Sequence, residues 1–144
     1  MREVTCSSVI LYNQDRQILF HVRDTIPTIA YPNYWAIPGG HVERDESPAD
    51  AMQRELDEEL DYHAPVIFWK TYDFWRTKDT LVHQYIYLSH WTDAPVTVHG
   101  FEGQAWRWMS AADLHTFPIA FGFDQLCQEC WQWIQQLSDN STNI

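Results

Sequence analysis

Positive charge is what this chain most lacks. Nine Lys and Arg stand against 20 Asp and Glu, a formal net charge of −11 over 144 residues. Gripping a long polyanion takes clustered cations, so neither a nucleic-acid polymer nor an anionic membrane surface is expected as a partner. A small phosphorylated ligand stays open, because a divalent cation can bridge an acidic protein to an acidic ligand. Cysteine is also scarce and odd in number, at three. No disulfide framework is expected, and a reducing cytoplasm is the expected compartment. No run approaches the roughly 20 apolar residues of a membrane span. Met1-Arg2-Glu3-Val4 lacks the apolar centre of a secretion signal. Internal repeats and low-complexity blocks are missing as well.

What is present suits one globular domain. Hydrophobic residues make up 45% and aromatics 15%, with eight Trp, enough for a full core and for stacking surfaces. A single domain is expected over residues 1–137, followed by a polar tail at 138–144 that frays. Asn140-Ser141-Thr142 has the form of a glycosylation acceptor but means nothing without a secretion signal.

Strands outnumber helices in the pattern. Glu3 to Tyr12 and Gln17 to Arg23, rich in Val, Ile and Thr or bounded by turn residues, read as a hairpin. Asp24 to Asn33 reads as a loop, and Trp35-Ala36-Ile37-Pro38 as a short extended piece leading to a Gly39-Gly40 turn. Pro65 to Trp75 and Leu81 to Trp91 form the clearest strand pair, and Gln104 to Met109 a further strand. Ser110 caps a short helix. Phe123 to Leu137 is an amphipathic helix whose buried stripe is expected to be Leu126, Cys130, Trp133, Ile134 and Leu137. The fold class is α/β (α+β), with helices covering a mixed sheet.

The most informative stretch runs from Gly39 to Leu60. Between Glu43 and Asp61 stand nine acidic residues and only two arginines, Arg44 and Arg54. Ser47 as N-cap, with Pro48 at the first helical position, starts a helix reaching about Leu60. At about 100° per residue, Glu55, Glu58 and Glu59 share one face. Ala49, Leu56 and Leu60 are expected to face the sheet, and Asp50, Asp57 and Asp61 the solvent. Like charges at i,i+4 cost a few tenths of a kcal/mol even on an isolated helix, so such a face calls for a hard cation with oxygen ligands. Gly40, having no side chain, can add a backbone carbonyl.

These residues resemble the Nudix hydrolase signature, in which a glycine, a glutamate and an Arg-Glu-apolar-x-Glu-Glu core recur at set intervals. Gly40, Glu46, Arg54, Glu55, Leu56, Glu58, Glu59 and Tyr62 stand in its places at matching spacing. One position departs: Asp61 stands where the family has a glycine that takes the left-handed conformation closing the helix. Asp tolerates that conformation at about 1 kcal/mol or less over Gly. The resemblance implies a Nudix-type α/β/α sandwich around a mixed sheet. It also implies hydrolysis of a nucleoside diphosphate linked to another group X, with Mg²⁺ or Mn²⁺. The matching metal ligands are Gly40, Glu55, Glu58 and Glu59, and Glu46 and Arg54 match the pair that ties loop to helix.

Phe101-Glu102-Gly103-Gln104 looks like the MutT-type stretch after the box. It makes Glu102 a fourth candidate carboxylate for metal binding or catalysis. Arg23 matches a phosphate-contacting arginine of MutT-like members. Phe117-Pro118-Ile119-Ala120 is followed by Phe121, where the members that discriminate oxidised guanine carry an asparagine. A phenyl ring stacks but cannot hydrogen-bond a base edge. Tyr34 and Phe121 are the favoured substrate-contact aromatics, with Tyr31, Trp35 and Trp75 as further candidates. His41, abutting Gly40, is a further candidate phosphate contact. Cys127-Gln128-Glu129-Cys130 lies inside a helical pattern and reads as core packing. The expected protein is a monomeric or homodimeric enzyme acting on a small nucleotide-type substrate. The competing reading is a Nudix-fold module that binds a nucleotide without cleaving it.

Overall fold

A computed structural model describes residues 1–92 and 105–142, the side chains of 137–142 excepted. Among the described residues seven strands and two helices form, in chain order β1 (Arg2–Tyr12), β2 (Ile18–Val22), β3 (Trp35–Ala36), β4 (Gly39–His41), α1 (Pro48–Leu60), β5 (Ile67–Thr77), β6 (Thr80–His90), β7 (Trp106–Met109) and α2 (Phe123–Thr142). The sheet runs β3-β2-β1-β6-β5, with β4 paired to β1 and β7 to β2. The β1–β6 pairing is parallel, Arg2↔Thr80 through Tyr12↔His90, and the other pairings are antiparallel. The sheet is therefore mixed, as its sequence pattern implies.

Strand alternation splits the core into two layers. On one face Ile10, Ile18, Phe20, Ile86 and Leu88 pack with Leu126, Cys127 and Cys130 of α2. On the other, Val9, Leu11, Leu19 and Tyr87 pack with Met52, Leu56 and Leu60 of α1. A helix on each face of one sheet is the α/β/α sandwich. No helix among the described residues is long and apolar enough to cross a membrane.

Several local expectations need correction. Gly39 and Gly40 form a short strand on β1, not a turn, with Ser7↔Gly40 and Ser8↔Gly39 in register. Glycine is needed for close approach: a methyl on Gly39 would strike the Ser7 carbonyl and Ser8. In α1, Ala49 is exposed, and Ala51 and Met52 join Leu56 and Leu60 as the buried stripe. After Ser110 only a 3₁₀ turn forms, Asp113–His115, with Ser110 N–H donating to Asp113 Oδ2 at 3.0 Å. In α2, Leu126 and Cys130 are buried and Ile134 packs against them as expected, Cys127 joins them fully buried, and Trp133 is 37% exposed; the Leu137 side chain lies outside the described residues. The helix also continues beyond Leu137 to Thr142.

Candidate active site

The carboxylates arrive on α1, whose start and stop are chemically explicit. Ser47 Oγ accepts from Asp50 N–H at 3.1 Å, with Pro48 next to the cap. At the other end Asp61 is left-handed, φ 49° and ψ 42°, and its N–H donates to Asp57 O. That is the conformation a glycine would adopt without strain.

Between these ends, Glu55, Glu58 and Glu59 project from one face at graded depth. The Glu55 side chain is 16% exposed and that of Glu58 56%. Glu59 lies deeper, and its Oε2 is buried with no hydrogen-bond partner. Burial, reinforced by the negative charges of Glu55 and Glu58, pushes Glu59 up to about 8. Burial also raises Glu55, against the pull of Glu59 and Arg54. The cluster thus withholds solvation from carboxylates that repel one another.

Arg54 organises this acidic region from its edge. It grips Glu46 with two bonds, Nε to Oε2 at 2.7 Å and Nη2 to Oε1 at 3.0 Å. It also donates to the His41 carbonyl at 3.2 Å and to Glu55 Oε1 at 3.2 Å. Glu46 in turn accepts the Glu43 N–H at 2.9 Å. The Arg54 bond holds the Glu46 carboxyl below the usual carboxylate range. One planar guanidinium therefore joins β4, the following loop and α1, a geometry a lysine ammonium cannot reproduce.

Gly40 completes this end. A side chain there would collide with the Glu55 carboxylate, so β4 passes directly over the carboxylate face. An orphaned buried Glu59 oxygen, mutually repelling glutamates and a backbone cradle that any Cβ would fill together suit a hard divalent cation with oxygen ligands. A second acidic cluster, Asp57, Asp61 and His63, has donor atoms within 4.8 Å of one another. All three are exposed, and His63 already bonds Asp61 at 2.8 Å.

Beside Gly40 opens a cavity of about 490 Å³. Its wall carries Arg23, Phe74, Arg76 and Phe121, and its floor includes Ser8, His21 and Gln84. Gln84 is 3% exposed and donates to Ser8 Oγ at 3.0 Å. His21 Nδ1 is buried without a partner, and burial lowers His21 to about 4, so the ring is neutral at pH 7. Arg23 Nε donates to Ala30 O at 2.9 Å, and its guanidinium lies 4.9 Å from the Phe121 ring centre. Phe121 has φ 57° and ψ 22°, a left-handed backbone unusual for a bulky residue.

Of the residues singled out in the sequence, Gly40, His41, Arg23 and Phe121 line this cavity, next to the Glu55–Glu58–Glu59 face. Tyr34 does not line it; it packs on Tyr31, which meets Phe121 edge-on at 4.9 Å. Trp75 points outward, 55% exposed. Trp35 packs on Phe117. Glu102 lies outside the described residues. Arg76, Gln84 and His21 went unrecognised in the sequence. Gln84 did leave a trace: it breaks an otherwise apolar inward series, Val82-x-Gln84-x-Ile86. Nothing comparable marks Arg76.

The concave site sets hard oxygen donors at one end, cations beside them and aromatic walls beyond, a donor set that complements a small phosphorylated ligand bridged by a divalent cation. The chain belongs to the NUDIX family: the family model, NUDIX domain, matches residues 2–129. It is 30% identical over 111 residues to the putative 8-oxo-dGTP diphosphatase of Bacillus subtilis (strain 168), covering 77% of this chain and 69% of that protein. It is 41% identical over 58 residues to the m7GpppN-mRNA hydrolase NUDT17 of Homo sapiens. That match covers 40% of this chain but spans only 17% of the human protein. Among solved structures, the solution structure of the E. coli ORF135 protein aligns with a TM-score of 0.67 and 28% identity, covering 89% of this chain and 88% of that one.

Proposed function

We propose that this protein is a divalent-metal-dependent pyrophosphohydrolase that cleaves the diphosphate bond of a nucleoside diphosphate linked to another group X. The observation that carries the reading is the α1 face itself: three glutamates, one with a buried orphan oxygen, pressed against a glycine strand at the mouth of a cavity lined by arginines and aromatics. Glu55, Glu58, Glu59 and the Gly40 carbonyl are the residues that would hold Mg²⁺ or Mn²⁺, with Glu102 as a further carboxylate. The bound cation would neutralise phosphate charge and make an attacking water more acidic.

The remaining work falls to the chain. A carboxylate of the cluster takes the water's proton as the water oxygen bonds to phosphorus. The bridging P–O bond then breaks, and its electron pair leaves with the departing phosphate oxygen. Arg54 and Glu46 keep the glutamates in place throughout, so catalytic geometry is set before substrate arrives. Arg23 contacts the phosphate chain, and Phe121 supplies an apolar contact for the base or for X. Tyr34 supports Phe121 only through Tyr31. The enzyme is read as cytoplasmic, monomeric or homodimeric, with no polymer partner.

The name of the Bacillus relative makes 8-oxo-dGTP one substrate to try. Phe121, lacking any group to hydrogen-bond a base edge, argues for a different preference. The test is incubation with a nucleotide panel, including 8-oxo-dGTP and nucleoside diphosphates bearing varied X groups, with Mg²⁺ and with Mn²⁺. Release of phosphorylated products from at least one is expected. Tight binding of one compound with no turnover of any would replace this reading with that of a non-catalytic binding module.

A further inference from the structure

We propose that Arg76 is a second anion-binding residue, which together with Arg23 clamps the phosphate chain of the substrate between the carboxylate face and the aromatic wall. The proposal rests on the reading of the cavity as a nucleotide site and deepens it.

Positive charge is scarce in this protein, and most of it is already committed or solvated. Arg54, Lys70 and Arg107 are paired with carboxylates. Arg2, Arg16, Arg44 and Lys78 are exposed, where water solvates them. Among the described residues only Arg23 and Arg76 are both partly buried and without an ion-pair partner. Both line the same cavity. Two like charges facing one cavity disfavour each other in the free protein: burial and the Arg76 charge depress Arg23, and the neighbouring Asp24 charge offsets this only in part. In a chain with 20 acidic residues, no carboxylate among the described residues lines this cavity, which leaves the two guanidiniums open to an anionic ligand.

Local structure aims Arg76 inward. The pairing of β5 with β6 slips between Trp75↔Leu81 and Thr77↔Thr80, leaving Arg76 as the unmatched residue. Such irregularities re-aim a side chain beside a functional site. Trp75 faces outward while Arg76 and Phe74 face the cavity. Arg23 is held by the Ala30 carbonyl and the Phe121 ring, and Arg76 Nη1 by His41 Nε2 at 3.4 Å. Their remaining donors stay available for phosphate oxygens, for which the planar guanidinium is well shaped. His41 directly follows Gly40, which abuts Glu55. Arg76 is thereby anchored one residue from Gly40, and its charge is felt at Arg23, so the two arginines and the carboxylate end offer one continuous track for a phosphate chain.

The test measures pyrophosphate binding in Mg²⁺ by isothermal titration calorimetry for wild type, Arg76→Ala, Arg76→Gln and Arg76→Lys, with thermal unfolding as a check on folding. Arg76→Ala and Arg76→Gln are expected to weaken binding at least about tenfold at unchanged unfolding temperature, and Arg76→Lys to recover part of the loss. With a turned-over nucleotide, Arg76→Ala is expected to raise KM more than it lowers kcat. Binding within twofold of wild type in both neutral variants would overturn the proposal. So would a loss that tracks only a lowered folded fraction, or a wild type that binds no pyrophosphate. Calorimetry needs no turnover. A wild type that bound pyrophosphate through Arg76 but hydrolysed nothing would sustain the clamp while removing the enzymatic reading.

Discussion

The two ends of the cavity are built by opposite logic. The carboxylate end comes from one continuous stretch, Gly39 to Leu60, in which β4, a loop and α1 are tied by the Arg54–Glu46 pair. Its charges are close in sequence because a helical turn brings i, i+3 and i+4 together. The arginine and aromatic end comes from separate segments: Arg23 after β2, Phe74 and Arg76 on β5, Gln84 on β6 and Phe121 before α2. One end is locally encoded and braced; the other is assembled by the sheet. Chemistry confined to a short stretch can recur intact across relatives, while a wall drawn from several elements can change one residue at a time and alter what is bound.

If that contrast is right, changes at the two ends should fail differently. Glu59→Gln should give the largest effect. Turnover is expected to fall by about 100-fold or more, with an unchanged circular dichroism spectrum; near-wild-type kcat would remove Glu59 from the reaction. At the other end, Phe121→Ala should mainly raise KM, by roughly five- to tenfold, with kcat altered less. Its ring meets Arg23, Tyr31, Phe74 and Phe123 but no carboxylate of the cluster. Steady-state kinetics on any accepted nucleotide decides this, and a kcat loss as large as that of Glu59→Gln would collapse the distinction between the ends.

A subtler difference concerns pH. In the metal-free protein Glu59 sits at about 8, against 4.5 for an ordinary glutamate. Between those values the folded chain holds a proton that the unfolded chain has released, so its stability falls as pH rises. A divalent cation competes with that proton and should flatten the decline. Urea unfolding from pH 5 to 8 in EDTA and in Mg²⁺ reads both slopes; a flat metal-free profile would contradict the burial of Glu59. The smallest effect is expected at Asp61→Gly, which removes a left-handed non-glycine residue at the end of α1. Stability should rise by about 1 kcal/mol or less, read from unfolding midpoints, with kcat unchanged. A loss of stability would show that the Asp61–His63 bond matters more than backbone strain.

Much of the fold was legible because its signals are local. The Ser47-Pro48 start of α1, the β5–β6 pair and the buried Cys130 all follow from capping, alternation and helical period. The misses have physical reasons. Gly39 and Gly40 read as a turn, yet they are a strand whose need for glycine comes from the residues of β1 and α1 above and below it. Trp133 read as core from its period, but the buried stripe of α2 runs through Leu126, Cys127 and Cys130, and Trp133 lies at its exposed edge. Tyr34, expected at the substrate because aromatics stack, lies outside the cavity lining and packs on Tyr31, which in turn meets Phe121.

By itself the sequence determined the acidic helix, its caps, the brace between Glu46 and Arg54, and the family to which the chain belongs. Those features depend on backbone geometry over a few turns, which residue spacing specifies. Only the tertiary structure decided that Glu59 is buried with an unpaired oxygen and that Arg23 and Arg76 face one cavity. It alone set Gln84 and Ser8 on the cavity floor. Burial and the meeting of distant strands depend on how the sheet stacks its elements, and no spacing along the chain records that.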